Sequence, residues 1–163
     1  LLDTEYSYYK KLGAEKKPSL PEPFTASRYE DAQRFQNYSC SPVMEGFEPD
    51  THAAEQWSDP FKGGWIARKQ GSCIKFNVSG GIIMVQYRKT INKPAPVAYA
   101  VIDGDRQNKV LLDANFDEDW GDLCCLEEIY SGAKGEHTVE IVIDTEGKEN
   151  SDFMLISVIT ANK

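Results

Sequence analysis

The sequence contains no apolar run approaching the ~20 residues that a bilayer-spanning helix needs, so a helical membrane anchor within these 163 residues is excluded. Histidine is scarce, with two residues, and the four cysteines form no C-x-x-C pair, which argues against a zinc site. No G-x-S-x-G and no Gly-Asp-Ser segment is present, so the usual setting of a serine nucleophile is missing. The glycine pair in "FKGGW", Phe61 to Trp65, lacks the Lys-Ser/Thr ending of a phosphate-binding loop. Basic side chains are in deficit, 18 against 26 acidic ones, for a net charge of −8. Phosphate backbones and anionic membrane surfaces need the opposite sign, so neither is an expected partner. The chain opens on Leu1 rather than Met and carries no signal-peptide pattern, and it reads as a piece cut from a longer protein.

What is present is enough chain for one domain with its own core. "LLDTEYSYYKKL", Leu1 to Leu12, spaces Leu2, Tyr6, Tyr9 and Leu12 roughly as a helix would, and Gly13 ends it. Pro18, Pro21 and Pro23 then make an extended linker. The expected division is therefore 1–23, a remnant helix plus Pro-rich linker, and 24–163, an all-β unit.

The second part is a series of short strand signals. "SCIKFNVSG" alternates, with Ile74, Phe76 and Val78 on one face. "GIIMVQYRK" is apolar more continuously, and "VSGG" between the two reads as a turn. "PVAYAVIDGD" ends in Asp103-Gly104, a hairpin signal, and "KVLLDA" is the return strand. "EHTVEIVID" alternates again, and "DFMLISVIT" is apolar on both faces, as a central strand would be. Short strands punctuated by Gly, Pro, Asn and Asp predict an antiparallel β-sandwich, or jelly roll. Cys73 can be paired with Cys124 or Cys125, although buried free thiols are the plainer reading.

The chemistry-bearing residues are few. His137 opens a strand in "GEHTVEI" and reads as structural; His52, in "EPDTHAAEQW", has no serine motif to serve. "DANFDEDWGD", Asp113 to Asp122, sets Trp120 among five acidic residues. It is not an EF-hand. Asp113, Asp117, Asp119 and Asp122 nevertheless offer hard oxygen ligands, so calcium is a lesser reading beside a solvated acidic turn. Sugar binding needs exposed aromatic faces for the C–H side of a pyranose, with nearby acceptors for its hydroxyls. Trp120 and Trp57, both in polar surroundings, are the first candidates. Tyr99 and Tyr130 support them, with Asp117 and Asp119 as hydroxyl acceptors. Trp65, just before a strand, reads first as core.

In order along the chain, "FKGGWIARKQGSCIKFNVSGGIIMVQYRK", "VAYAVIDGD", "LDANFDEDWGD", "GEHTVEIVID" and "FMLISVITA" resemble the β-sandwich accessory domain attached to bacterial SGNH (GDSL-type) hydrolases. The same pattern is similar to the jelly roll of family 2 carbohydrate esterases. It covers about two thirds of the chain, Phe61 to Ala161. The family's catalytic Gly-Asp-Ser and Asp-x-x-His blocks have no counterpart, so no catalytic residue is carried over. The resemblance implies a non-catalytic carbohydrate-binding or substrate-positioning module of a secreted esterase, extracellular or on the cell surface. Its partners would be a plant-type polysaccharide or related glycan and a preceding SGNH domain, to which Leu1–Leu12 would belong. No cofactor is expected from the residues, calcium being the lesser reading. A purely structural domain packed on the esterase, or a hydrolase with an unrecognised site, are the alternatives.

Overall fold

The computed structural model describes residues 25, 27–52, 59–149 and 151–162. The expected N-terminal helix and Pro-rich linker lie outside them, and so does Trp57. Nine strands follow: β1 (Glu30–Phe35), β2 (Val43–Glu45), β3 (Glu48–Pro49), β4 (Trp65–Ala67), β5 (Cys73–Lys89), β6 (Val97–Ile102), β7 (Val110–Asp113), β8 (Leu123–Thr145) and β9 (Phe153–Asn162). They join into one antiparallel sheet, ordered β3-β4-β9-β5-β8-β6-β7, with β1 on β9 and β2 on β5.

The sheet becomes a sandwich because β5 and β8 are long and doubled over. The first arm of β5 pairs with the last arm of β8, Cys73 opposite Val142, and its second arm with the first arm of β8, Lys89 opposite Leu123. At the bend Gly80 faces Gly135 and Ile82 faces Ser131, so Gly81 stands opposite Gly132, Ala133 and Lys134. This irregularity also switches which side chains point inward. Ile74, Phe76 and Val78 face the core before it; Ile83, Val85 and Tyr87 face the same core after it. "VSGG" is therefore not a turn between strands but a bulge within one. Ile82 and Met84, thrown to the other face, join Ala161 and Ile159 in a second small cluster, which explains the continuous apolar run.

The main core collects both arms with β6, β8 and β9: Ala98, Ala100, Val139, Ile141, Ile143, Phe153, Leu155 and Val158. Trp65 is 1% exposed and meets Phe76 edge-on at 5.0 Å; Tyr87 stacks on Phe153 at 5.7 Å. Each such pair contributes roughly 0.5–1.5 kcal/mol beyond its buried area. β9 is buried along nearly its whole length, as its two apolar faces require. The Asp103-Gly104 signal is a tight turn, with φ of 51° and 77° and Asp105 N donating to Ile102 O at 2.9 Å. A 3-10 turn, Arg106–Asn108, separates it from β7. All four cysteines are free and half-buried.

Candidate functional site

Trp120 lies between β7 and β8, at the end of the sandwich where β5 stops and β6 begins. Three connections are knitted together there. Thr90 N donates to Ala114 O at 2.8 Å, and Phe116 N to Thr90 O at 3.0 Å. Asn115 is the clamp: its Oδ1 accepts from Ala95 N at 2.9 Å, and its Nδ2 donates to Asp113 Oδ1 at 2.7 Å. On the other flank Lys148 N donates to Pro94 O at 2.8 Å, and Ser151 Oγ to Asn92 O at 3.3 Å. The acidic loop thus stands on a hydrogen-bonded base, which limits the ordering it must undergo to hold a ligand.

On that base Trp120 turns outward, 64% exposed. Phe116 meets it edge-on, centroids 5.1 Å apart at 86°, and so fixes the indole without covering it on both sides. Asp117, beside it, pairs with Lys93. The hydrogen bond from Lys93, then its charge, holds the Asp117 carboxyl below the usual carboxylate range. Asp119 is exposed in the same loop. Trp120, Asp117 and Asp119 therefore share one exposed loop.

Tyr99 and Tyr130 are elsewhere. Tyr99, in β6, carries Lys109 Nζ 4.1 Å from its ring centroid, and Arg106 Nη1 donates to its hydroxyl at 3.4 Å. A cation already sits on one ring face. Tyr130, beside the β8 bend, has its ring centroid 4.3 Å from that of His137 and donates its hydroxyl to Ala133 O at 3.1 Å.

The acidic residues of the Trp120 loop are largely engaged. Asp113 accepts from Asn115, Asp117 pairs with Lys93, and Asp122 lies 3.7 Å from Arg88. Among the described residues no three His, Cys, Asp or Glu side chains gather as a metal-ligand set. Each histidine is held by an aspartate. His137 Nδ1 is 2.7 Å from Asp103 Oδ2, and His52 Nδ1 is 2.8 Å from Asp50 Oδ1. No hydroxyl or thiol is among the hydrogen-bond partners of either ring in the described residues.

Several exposed side chains escape the sequence reading. Ile91, 40% exposed, lies in the connection between β5 and β6. Tyr38, at 78%, is the most exposed aromatic among the described residues. An aromatic flanked by Asn37, Ser39 and Pro42 in "FQNYSCSP" is a turn signal that could have drawn attention to it.

No family model matches the chain, and no curated protein matches it. Among solved structures, the chain is similar to a two-domain esterase (CEX) active on acetylated mannans, co-crystallized with mannopentaose: 40% identity over 99% of this chain, TM-score 0.81. This chain is a β-sandwich module of the kind that carbohydrate esterases carry. The module spans 45% of that esterase's length. The fold recurs in a family two carbohydrate esterase from Cellvibrio japonicus, with 13% identity, 82% of this chain and 34% of that one covered, and a TM-score of 0.58. It recurs also in a β-1,3-glucan binding CBM6 from Bacillus halodurans, with 12% identity, 84% and 100% covered, and a TM-score of 0.52. At those identities the likeness is one of fold alone. No helix among the described residues is long and apolar enough to cross a membrane.

Proposed function

We propose that the module is non-catalytic and binds carbohydrate through Trp120, positioning a polysaccharide for an SGNH-type esterase domain in the same secreted bacterial protein. The observation that carries this is the indole standing 64% exposed on a hydrogen-bonded loop. A large aromatic face held in water has an unfavourable hydration that a pyranose C–H face relieves. Asp119, and Asp117 on the outer side of its pair with Lys93, accept from sugar hydroxyls. An acetylated mannan is the first polymer to consider, because the similar two-domain esterase acts on one. Tethering then raises the effective concentration of polymer at the esterase.

Affinity electrophoresis and calorimetry against mannan, xylan, pectin and β-glucan test this. Retardation by at least one polymer, weakened more than tenfold by Trp120→Ala, is expected, since truncating a central tryptophan costs about 2 kcal/mol or more. Binding that survives Trp120→Ala at full strength would place the site elsewhere.

A second reading is a structural role against the esterase domain. Val43 on β2, Leu111 on β7 and Leu126 on β8 are exposed apolar side chains that a packed neighbour would cover. Deleting residues 24–163 from the parent protein separates the two. Loss of activity on polymer alone supports binding, and equal loss on small acetyl esters supports scaffolding.

A further inference from the structure

A second aromatic stands on the flank of the sandwich, far along the chain from Trp120. Tyr38 follows β1 in a turn closed by Ser39 N donating to Gln36 O at 2.9 Å. The residue is 78% exposed, yet its hydroxyl donates to Gln36 Oε1 at 2.6 Å. Gln36 is 6% exposed, and its Nε2 donates to Lys62 O at 3.0 Å. A ring tethered in this way is oriented before any ligand arrives, which lowers the entropy lost on binding.

The same scaffold presents a histidine. Asn37 Nδ2 donates to Asp50 O at 2.8 Å and to Gly64 O at 2.9 Å, and Asp50 N donates to Gly64 O at 2.9 Å. Gln36, Asn37, Asp50, Lys62 and Gly64 are thereby tied together, and Tyr38 and His52 are each anchored to this frame, through Gln36 and Asp50. The Asp50 side chain is 0% exposed, and its Oδ1 accepts from His52 N at 3.1 Å and lies 2.8 Å from His52 Nδ1. Its Oδ2 is buried with no partner among the described residues. Through Oδ1, and not through the unpartnered Oδ2, Asp50 orients His52, whose side chain is 73% exposed. With Nδ1 committed to Asp50, Nε2 is the nitrogen left for a ligand.

We infer that Tyr38 and His52 form a second carbohydrate subsite, separate from the Trp120 loop, with Asp50 as the positioning residue. The inference rests on the reading that this module binds sugars. A neutral pyranose fits both groups: its C–H face stacks on Tyr38, and a hydroxyl donates to His52 Nε2. An anionic ligand is opposed by the buried Asp50 carboxylate. Two platforms on one chain let a polymer be held at two points, so each weak contact raises the effective concentration at the other.

Amide chemical-shift titration of the chain with manno-, xylo- and gluco-pentaose tests this, in the wild type and in Trp120→Ala. In Trp120→Ala, shifts at Tyr38, His52 and Gly63 are expected to persist, and adding Tyr38→Ala removes them. Tyr38→Phe, which keeps the ring and loses only the tether, retains them with affinity lowered severalfold. Loss as complete in Tyr38→Phe as in Tyr38→Ala overturns the platform. Shifts confined to the Trp120 loop in the wild type overturn the second subsite and leave the first standing. No shift anywhere, with any of the three sugars, removes both.

Discussion

Two tryptophans sit beside glycines in this chain, in "GGW" at Trp65 and "DWGD" at Trp120, and they meet opposite fates. Trp65 enters β4, opposite Leu155 of β9, and is buried to 1% exposure against Phe76. Trp120 sits in the loop between β7 and β8, is flanked by acidic residues, and is held out to 64% exposure by a loop anchored through Asn115 to Ala95 and through Phe116 to Thr90. Residue type does not separate them. What does is whether a sheet partner or a knitted loop receives the backbone. The first tryptophan therefore belongs to stability and the second is available to a ligand.

The widest gap should appear in stability. Trp65→Ala removes a fully buried indole and is expected to cost about 3–5 kcal/mol. Trp120→Ala, on the surface, should stay within about 0.5 kcal/mol of the wild type. Denaturant unfolding of both variants measures this. A similar loss for both would mean that the Trp120 loop is part of the core, and the comparison would collapse.

The glycines give a sharper, smaller contrast, because each is needed for a different reason. A Cβ on Gly64 would lie 2.0 Å from Leu155 O and 2.8 Å from Ile156 Cα, so Gly64→Ala forces β4 away from β9. A cost of about 3 kcal/mol or more is expected, at the upper end for overpacking. Gly121 has open space around it but a φ of 135°, which L side chains rarely adopt. Gly121→Ala is expected to cost about 1–3 kcal/mol of backbone strain, relieved by local rearrangement of the loop. The difference is readable in amide spectra: Gly64→Ala should move resonances on β4 and β9, and Gly121→Ala only those of the Trp120 loop.

The legible part of this molecule was the part governed by short-range periodicity. Ile74, Phe76 and Val78 alternate because one face of a strand is buried, and Asp103-Gly104 turns because the chain there needs positive φ. Trp65, just before a strand, is core as its position implies, 1% exposed. The bend at Gly80–Gly81 is not legible in sequence, because a glycine pair looks the same in a turn and in a bulge. Only the partner strand, with Gly132 to Lys134 opposite, decides between them. The orientation of Trp120 was not legible either. It depends on Asn115 reaching Ala95, 20 residues away in the chain, and on Phe116 bonding to Thr90. Tyr99 looked like an open platform until Lys109, brought over its ring beyond the turn, covered one face.

The smallest effect is electrostatic and separates the two regions by pH. Asp117 is held below the usual carboxylate range first by its hydrogen bond from Lys93, then by the charge of Lys93, with Lys89 contributing less. A lowered folded-state value means that the contact is fully present above the ordinary carboxylate value of about 3.9. It is lost as pH falls through the lower folded value. Because Asp117 is exposed, global stability should hardly register this. The indole Nε1–H resonance of Trp120, three residues along the same loop, should follow the titration. That of Trp65, enclosed in the core, should remain still over the same range. Lys93→Ala removes both the hydrogen bond and the charge, so the midpoint seen by Trp120 should rise toward the ordinary carboxylate value. If both indoles moved together, acid would be loosening the whole sandwich at once, and the Trp120 loop would have no titration of its own.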